Sequence, residues 1–216
     1  MPRKKLADLR EDYSKKQLDI TDVVANPIEQ FKVWFEEAQK SKVPEPNAMT
    51  LATATPNGIP SARIVLLKEL NEDGFIFYTN YKSHKGKELA KNSNAALVFC
   101  WLGLERQVRI EGVVKKVSRD KSKTYFQSRP KKSQMGACVS SQSKVIKSRS
   151  VLEENMAALE QKYQDADVLP CPTHWGGYQL EPTVIEFWQG RRSRLHDRIQ
   201  YKLLKNGKWK IVRLAP

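Results

Sequence analysis

Between Met49 and Val117 the chain alternates short β-rich runs with turn signals, and this rhythm narrows the fold more than any other feature. The runs are Met49 to Ala54, Ala62 to Leu67, Phe75 to Tyr78, Ala95 to Trp101 and Gln107 to Val117. Pro56-Asn57-Gly58 and Asp73-Gly74 lie between them, and Asn206-Gly207 marks a hairpin turn between two last strands. Few stretches suit the long crossovers that parallel strands require. The pattern predicts an α+β fold, a mainly antiparallel sheet or barrel with helices around it.

The helices announce themselves by their ends. Asn26-Pro27 reads as an N-cap followed by proline at the first helical position, with Glu29 placed for a capping box. Behind it, Ile28, Phe31, Trp34, Phe35 and Ala38 recur at helical spacing and form a core stripe. Further helices are predicted over Lys85 to Lys91 after Ser83, and over Asp120 to Ser128, stopping at Arg129-Pro130. Ser150 with Glu153 predicts a capping box for a helix through Tyr163. The first 25 residues are charged and poorly periodic, so they read as a flexible arm with a short helix around Leu6 to Tyr13. The expected organisation is that arm, 1–25, and a single domain, 26–216.

A chain of 216 residues can bury a full core without disulfides or metals. Cys100, Cys138 and Cys171 are far apart, and His84, His174 and His196 do not fall at metal-ligand spacings, so no metal is expected. No long apolar run predicts a membrane span. The basic N-terminus lacks the apolar core of a secretory signal, and Asp8, Glu11 and Asp12 argue against a transit peptide. A soluble, cytoplasmic protein is expected. The net charge of +14 fits either a nucleic-acid surface or a site for small polyanions. Neither a helix-turn-helix signature nor aromatic RNA-binding motifs accompany it, so charge alone decides nothing.

GxGxxG, P-loop, GxSxG and HExxH motifs are all missing. Four strings instead gather phosphate donors. RIVLLK, from Arg63 to Lys68, puts Arg63 and Lys68 on opposite faces if it is a strand. In FYTNYKSHKGKE, Tyr78-Thr79 ends a strand and Ser83-His84-Lys85 opens a helix, whose free N–H groups favour an anion. In YFQSRPKKSQMGACVSSQS, Tyr125 precedes Arg129 by one turn and Ser133 follows the proline break. A phenol, a guanidinium and a hydroxyl can thus surround one phosphate, and Gln142-Ser143 add small donors. In IEFWQGRRSRLHDR, Arg194, His196 and Arg198 share a side if the segment is extended, with Trp188 offering a flat apolar face.

In their order and spacing, RIVLLK, LERQVRIEG, YFQSRPKKSQMGA, WGG, IEFWQG, RLHDR and RLAP closely resemble the pyridoxamine/pyridoxine 5'-phosphate oxidase family, from about Leu9 to Pro216. That resemblance implies an FMN-binding split β-barrel and a homodimer with FMN at the subunit interface. It implies FMN contacts from Arg63, Ile64, Val65, Leu66, Leu67, Lys68, Tyr78, Thr79, His84, Lys85, Gln107, Gln142, Ser143, Trp188 and Arg198. Lys68, Tyr125, Arg129 and Ser133 would hold the vitamer phosphate, with Arg194 and His196 beside the ring as catalytic residues. Arg10 and Tyr13 match arm residues that close over the site. His84 stands where many members carry arginine, and a neutral imidazole weakens that part of the phosphate clamp. The implied reaction takes a hydride equivalent from C4' of pyridoxamine or pyridoxine 5'-phosphate to N5 of FMN. Oxygen is the final acceptor, giving pyridoxal 5'-phosphate, hydrogen peroxide and, from the amine, ammonia. No nucleic-acid or membrane partner is expected.

Overall fold

A computed structural model describes Lys5 and residues 12–216. The Arg10 assignment and most of the expected Leu6 to Tyr13 helix lie outside the described residues. In chain order the elements are α1 (Pro27–Lys40), β1 (Ala48–Ala54), β2 (Pro60–Leu66), β3 (Glu69–Asn71) and β4 (Gly74–Asn80). Then come α2 (His84–Lys91), β5 (Asn94–Trp101), β6 (Arg106–Lys116), α3 (Arg119–Ser128), α4 (Lys131–Val139) and α5 (Ser150–Lys162). The long β7 (Trp175–Gln189), β8 (Asp197–Leu203) and β9 (Trp209–Leu214) complete the chain. Strands pair in the order β2-β1-β5-β6-β7-β4-β3, with β8 on β7 and β9 on β8, as an antiparallel half-barrel sheet. The expected fold class holds.

Two compact units share this chain. One takes the residues up to Met49 together with Leu97–Glu111 and Pro182–Pro216. Its core is aromatic: Phe31 lies 4.9 Å from Phe99, and Trp34 lies 5.1 Å edge-on to Phe187, ring centroid to centroid. Ile185, Phe187, Ile199 and Tyr201 fill one face of the β7–β8 pair, all with no exposed surface. Polar tips are satisfied, Trp101 Nε1 donating to the Pro46 carbonyl and Tyr201 OH to that of Val24.

The other unit, Thr50–Ala96 with Gly112–Glu181, builds a second cluster on Phe126, Met135, Leu169 and Trp175. The Gln134 side chain stitches it together. Its amide donates to the carbonyls of Gln127 and Arg129 and accepts from Leu169 N–H. That side chain is 1% exposed, so these bonds replace water altogether.

Three local readings need correction. Residues 131–139, for which the sequence predicts no helix, form α4. Ser150 is the first residue of α5 rather than its cap; Arg149 precedes it, and its Nε donates to Glu153 instead. The segment around Arg194 is not extended: Arg192–Arg194 is a tight turn with Ser193 at φ 55° and Arg194 at φ 60°.

At α1, Asn26 Oδ1 accepts from Ile28 N–H at 2.8 Å and Glu29 N–H at 3.4 Å, so the cap is as expected. The Glu29 carboxylate, however, pairs with Lys32 at 2.7 Å. Asn26→Ala should cost about 1 kcal/mol of stability, measured as a lower urea midpoint at unchanged slope.

Candidate functional site

The second unit contains a cleft of about 530 Å³. Its floor comes from β4. Tyr78, at the end of that strand, stacks on Tyr125 of α3 at 3.9 Å and on Trp175 at 5.5 Å, the three rings nearly parallel. Burial, with Glu69 and Tyr125 adding to it, pushes the Tyr78 phenol up to about 12. Burial likewise raises Tyr125, against the pull of Arg129. Both phenols are therefore neutral donors at ordinary pH.

Besides the exposed Lys68, two cations stand in this cleft, in separate surroundings. Lys85, 9% exposed, sits in the first turn of α2. Its Nζ donates to Thr79 Oγ1 at 3.3 Å and Gln142 Oε1 at 3.1 Å. Burial lowers its pKa, and the charge of Arg63 lowers it further. Gly86 makes this arrangement possible, since a Cβ there would lie 2.3 Å from the Tyr81 carbonyl oxygen. Only glycine lets α2 start so close to the end of β4.

Arg129 caps α3 and lies over the Trp175 ring at 4.9 Å. One guanidinium nitrogen, Nη1, is buried with no hydrogen-bond partner. An orphaned charged donor is costly inside a protein and calls for an acceptor. Tyr125 and Ser133 line the same cleft, as do Lys68 and the β2 residues Ile64, Val65 and Leu66. Among the described residues, no carboxylate lines it. A phosphate-bearing ligand fits this lining: cations with neutral partners, hydroxyls, and flat rings for a planar group.

Other predicted residues are placed differently. Arg63 turns to a buried carboxylate: its guanidinium bonds Thr53, Ser61 and the Leu51 carbonyl and lies 3.4 Å from Glu88. Glu88 also accepts from Thr53 at 2.5 Å and Ser61 at 2.7 Å and pairs with His84 at 3.0 Å. These partners hold its carboxyl below the usual range although burial pushes the other way. His84 is thus engaged with Glu88 and does not line the cleft; nor do Arg63, Leu67 and Ser143.

In the first unit, Trp188, His196 and Tyr13 form a second aromatic group. Trp188 and His196 are 4.6 Å apart, and Tyr13 stands 5.8 Å and 5.9 Å from them. His196 Nδ1 accepts the Arg191 N–H at 3.1 Å, so the neutral ring presents Nε2–H as its donor. Burial and then the charge of Arg194 lower its pKa, which keeps it neutral. Arg194 itself is exposed. Arg198, opposite Trp188 in the β7–β8 register, donates through Nε and Nη2 to the buried Glu186 at 2.9 and 3.0 Å. Gln107 and Trp188 line a smaller cavity of about 320 Å³ with Tyr13 and Glu105. Sequence reasoning missed Trp175, Glu88 and Glu186; the WGG, FYTNYKSHKGKE and IEFWQG strings contain them without showing what they touch.

Residues 35–163 match the family described as pyridoxamine 5'-phosphate oxidase, and residues 175–216 match the pyridoxine 5'-phosphate oxidase C-terminal dimerisation region. A pyridoxine/pyridoxamine 5'-phosphate oxidase of Nostoc punctiforme is 58% identical over 213 residues, 99% of both chains. One of Ralstonia pickettii is 57% identical over 211 residues, 98% of this chain and 99% of its own. Among solved structures, PhzG of Burkholderia lata 383, in complex with tetrahydrophenazine-1-carboxylic acid, aligns with TM-score 0.86 at 32% identity. That match covers 91% of this chain and 95% of PhzG. A pyridoxamine 5'-phosphate oxidase-related, FMN-binding protein of Nostoc punctiforme shares the fold, with TM-score 0.71 at 17% identity over 90% of this chain and 100% of its own.

Arg129→Met should remove a half-buried guanidinium whose Nη1 is unsatisfied while keeping the apolar stem. The variant is expected to melt about 2–4 °C higher, yet inorganic phosphate should raise its melting temperature less than it raises that of the parent. A lower melting temperature without phosphate would show that Arg129 is already satisfied.

Proposed function

Because the chain belongs to the pyridoxamine 5'-phosphate oxidase family, we propose that it is an FMN-dependent oxidase making pyridoxal 5'-phosphate from pyridoxamine and pyridoxine 5'-phosphates. With the amine, substrate, oxygen and water give the aldehyde, hydrogen peroxide and ammonia; with the alcohol, substrate and oxygen give the aldehyde and hydrogen peroxide. The observation that carries this reading is the unpartnered Nη1 of Arg129 in a cleft that also holds the buried Lys85 and, among the described residues, no carboxylate. Two separate donor groups suit two phosphate-bearing ligands.

FMN when bound supplies the two-electron acceptor and the route to oxygen. Lys85, Thr79 and Gln142 would hold its phosphate, with β2 backbone and Lys68 along its length. Arg129, Tyr125 and Ser133 would hold the vitamer phosphate, Arg129 able to offer two parallel N–H groups. A fixed phosphate orients the ring and places C4', which is where positioning lowers the barrier most. His196, kept neutral, offers Nε2–H to a ring substituent, and Arg194 stabilises the C4' substituent as it loses its proton. Residues 175–216, the dimerisation region, include Trp188, Arg194, His196 and Arg198, which supports a homodimer with FMN at its interface. Identity of 57–58% with the oxidases against 32% with PhzG favours phosphorylated vitamers over a phenazine acid.

The purified protein should be yellow and, given pyridoxamine 5'-phosphate in air, should form aldehyde and peroxide in equal amounts. A yellow protein that forms neither would overturn the substrate assignment, and one that takes up no flavin would overturn the cofactor. Arg194→Ala is expected to lower kcat about 100-fold or more with flavin absorbance retained. Undiminished turnover would remove Arg194 from the mechanism.

A further inference from the structure

Glu105 is a buried carboxylate with a use that the proposed chemistry does not require. It closes the turn after β5 in the left-handed region, at φ 56° and ψ 38°, a conformation that opposes any side chain and suits glycine or asparagine. It is 9% exposed. Its Oε2 accepts the backbone N–H of Ser14 at 2.9 Å and of Lys15 at 3.0 Å, residues some ninety positions earlier. Lys15 Nζ donates to the Gly103 carbonyl, two positions before Glu105, at 2.7 Å. The Glu105 carbonyl accepts from Gly190 N–H at 2.7 Å, and Gln189 Nε2 donates to the same oxygen at 3.2 Å.

Gly190 completes the seat. A Cβ at that position would lie 2.7 Å from Tyr13 Cγ and 2.8 Å from Tyr13 Cβ. These are the inner atoms of the side chain, so the tyrosine could not swing aside without moving its backbone. The phenol ring then rests against Trp188 and His196. From Lys16 onward other groups hold the segment: Asp197 accepts from Leu18 N–H, and Arg213 donates to the Leu18 carbonyl. Between Tyr13 and Lys15 the backbone is held by Glu105 and seated on Gly190, with Lys15 Nζ on the Gly103 carbonyl as a side-chain tether.

We infer that Glu105 is a positioning residue: its carboxylate clamps the Ser14–Lys15 backbone so that Tyr13 stays seated on Gly190 against Trp188 and His196. The left-handed turn explains why a glutamate matters there. A residue serving only the turn would be glycine or asparagine; the side chain is kept at the cost of backbone strain, and what it touches is the N-terminal segment. The consequence for turnover rests on the oxidase reading, in which Trp188 and His196 flank the ligands. The clamp itself does not.

The test uses the full-length, FMN-loaded protein. Glu105→Gly relieves the turn and deletes the clamp; it should melt within about 2 °C of the parent. Trypsin should cut it after Lys15 and Lys16 about tenfold faster, followed by mass spectrometry. Its KM for pyridoxamine 5'-phosphate should rise about tenfold with kcat changed less than about twofold. Glu105→Gln, which keeps an acceptor oxygen, should restore slow cleavage. Gly190→Ala, which attacks the seat from the other side, should also be cut faster. Unchanged cleavage in Glu105→Gly and Gly190→Ala would overturn the clamp, as would a large fall in the melting temperature of Glu105→Gly with cleavage and KM unmoved. Absence of any turnover in the parent would defeat the oxidase reading alone, since the cleavage rates would still decide the clamp.

Discussion

Keeping cations charged inside a cleft without giving them to carboxylates is the constraint on which the rest of this structure depends. A buried ammonium or guanidinium is stabilised most simply by a nearby acid, but an acid in the cleft would repel a phosphate. The chain resolves this by segregation. Glu88, three positions after Lys85 in α2, is occupied by Thr53, Ser61, Arg63 and His84. Lys85 is left with two neutral oxygens, from Thr79 and Gln142. Glu186 does the same for Arg198, with Arg109 at 3.7 Å. Cations of similar sequence character are thereby sorted into those that brace the scaffold and those that remain available to an anion.

That sorting explains why the sequence reveals the site only in part. Tyr125, Arg129 and Ser133 could be read as a group because helical spacing and the break at Pro130 dictate their proximity. Arg63 and Arg198 look equally suited to phosphate in the sequence, yet their guanidinium groups are engaged by carboxylates 25 and 12 positions away. No local pattern shows such a pairing. α4 was missed for a related reason. Its strength comes from Gln134, whose side chain bonds Leu169, 35 positions on, while its own string carries a glycine and no side-chain cap. Elements with local signals, such as α1 with its Asn26 cap and the Asn206-Gly207 hairpin, were legible because their cause lies within a few residues.

The tight turn before β8 shows a different limit. Alternation along an extended strand would have put Arg194, His196 and Arg198 on one side, but Ser193 and Arg194 take left-handed conformations that propensity disfavours. Such strain persists only where surrounding structure fixes it. Here the Arg191 N–H bonds back to His196 Nδ1 across the turn, and the imidazole packs on Trp188. The same contact settles the histidine's proton on Nε2. Backbone strain and side-chain chemistry are therefore one arrangement: straightening the turn would remove the bond that fixes the tautomer.

The register of β7 and β8 links that turn to the core. Ile185, Phe187, Ile199 and Tyr201 share the buried face, and alternation places Glu186, Trp188 and Arg198 on the other. A slip of one residue would drive Arg198 and Gln200 into an aromatic interior and expose Ile199 and Tyr201. Apolar burial amounting to roughly 1.5–3 kcal/mol per large side chain opposes this. Four side chains without any chemical role therefore set which way Trp188 and Arg198 point. Because Trp188 is opposite Arg198 in that register, Glu186 reaches the guanidinium on the diagonal, and the salt bridge follows from the packing of the opposite face. The orientation of Trp188 and Arg198 in this hairpin is, in this sense, a by-product of hydrophobic alternation.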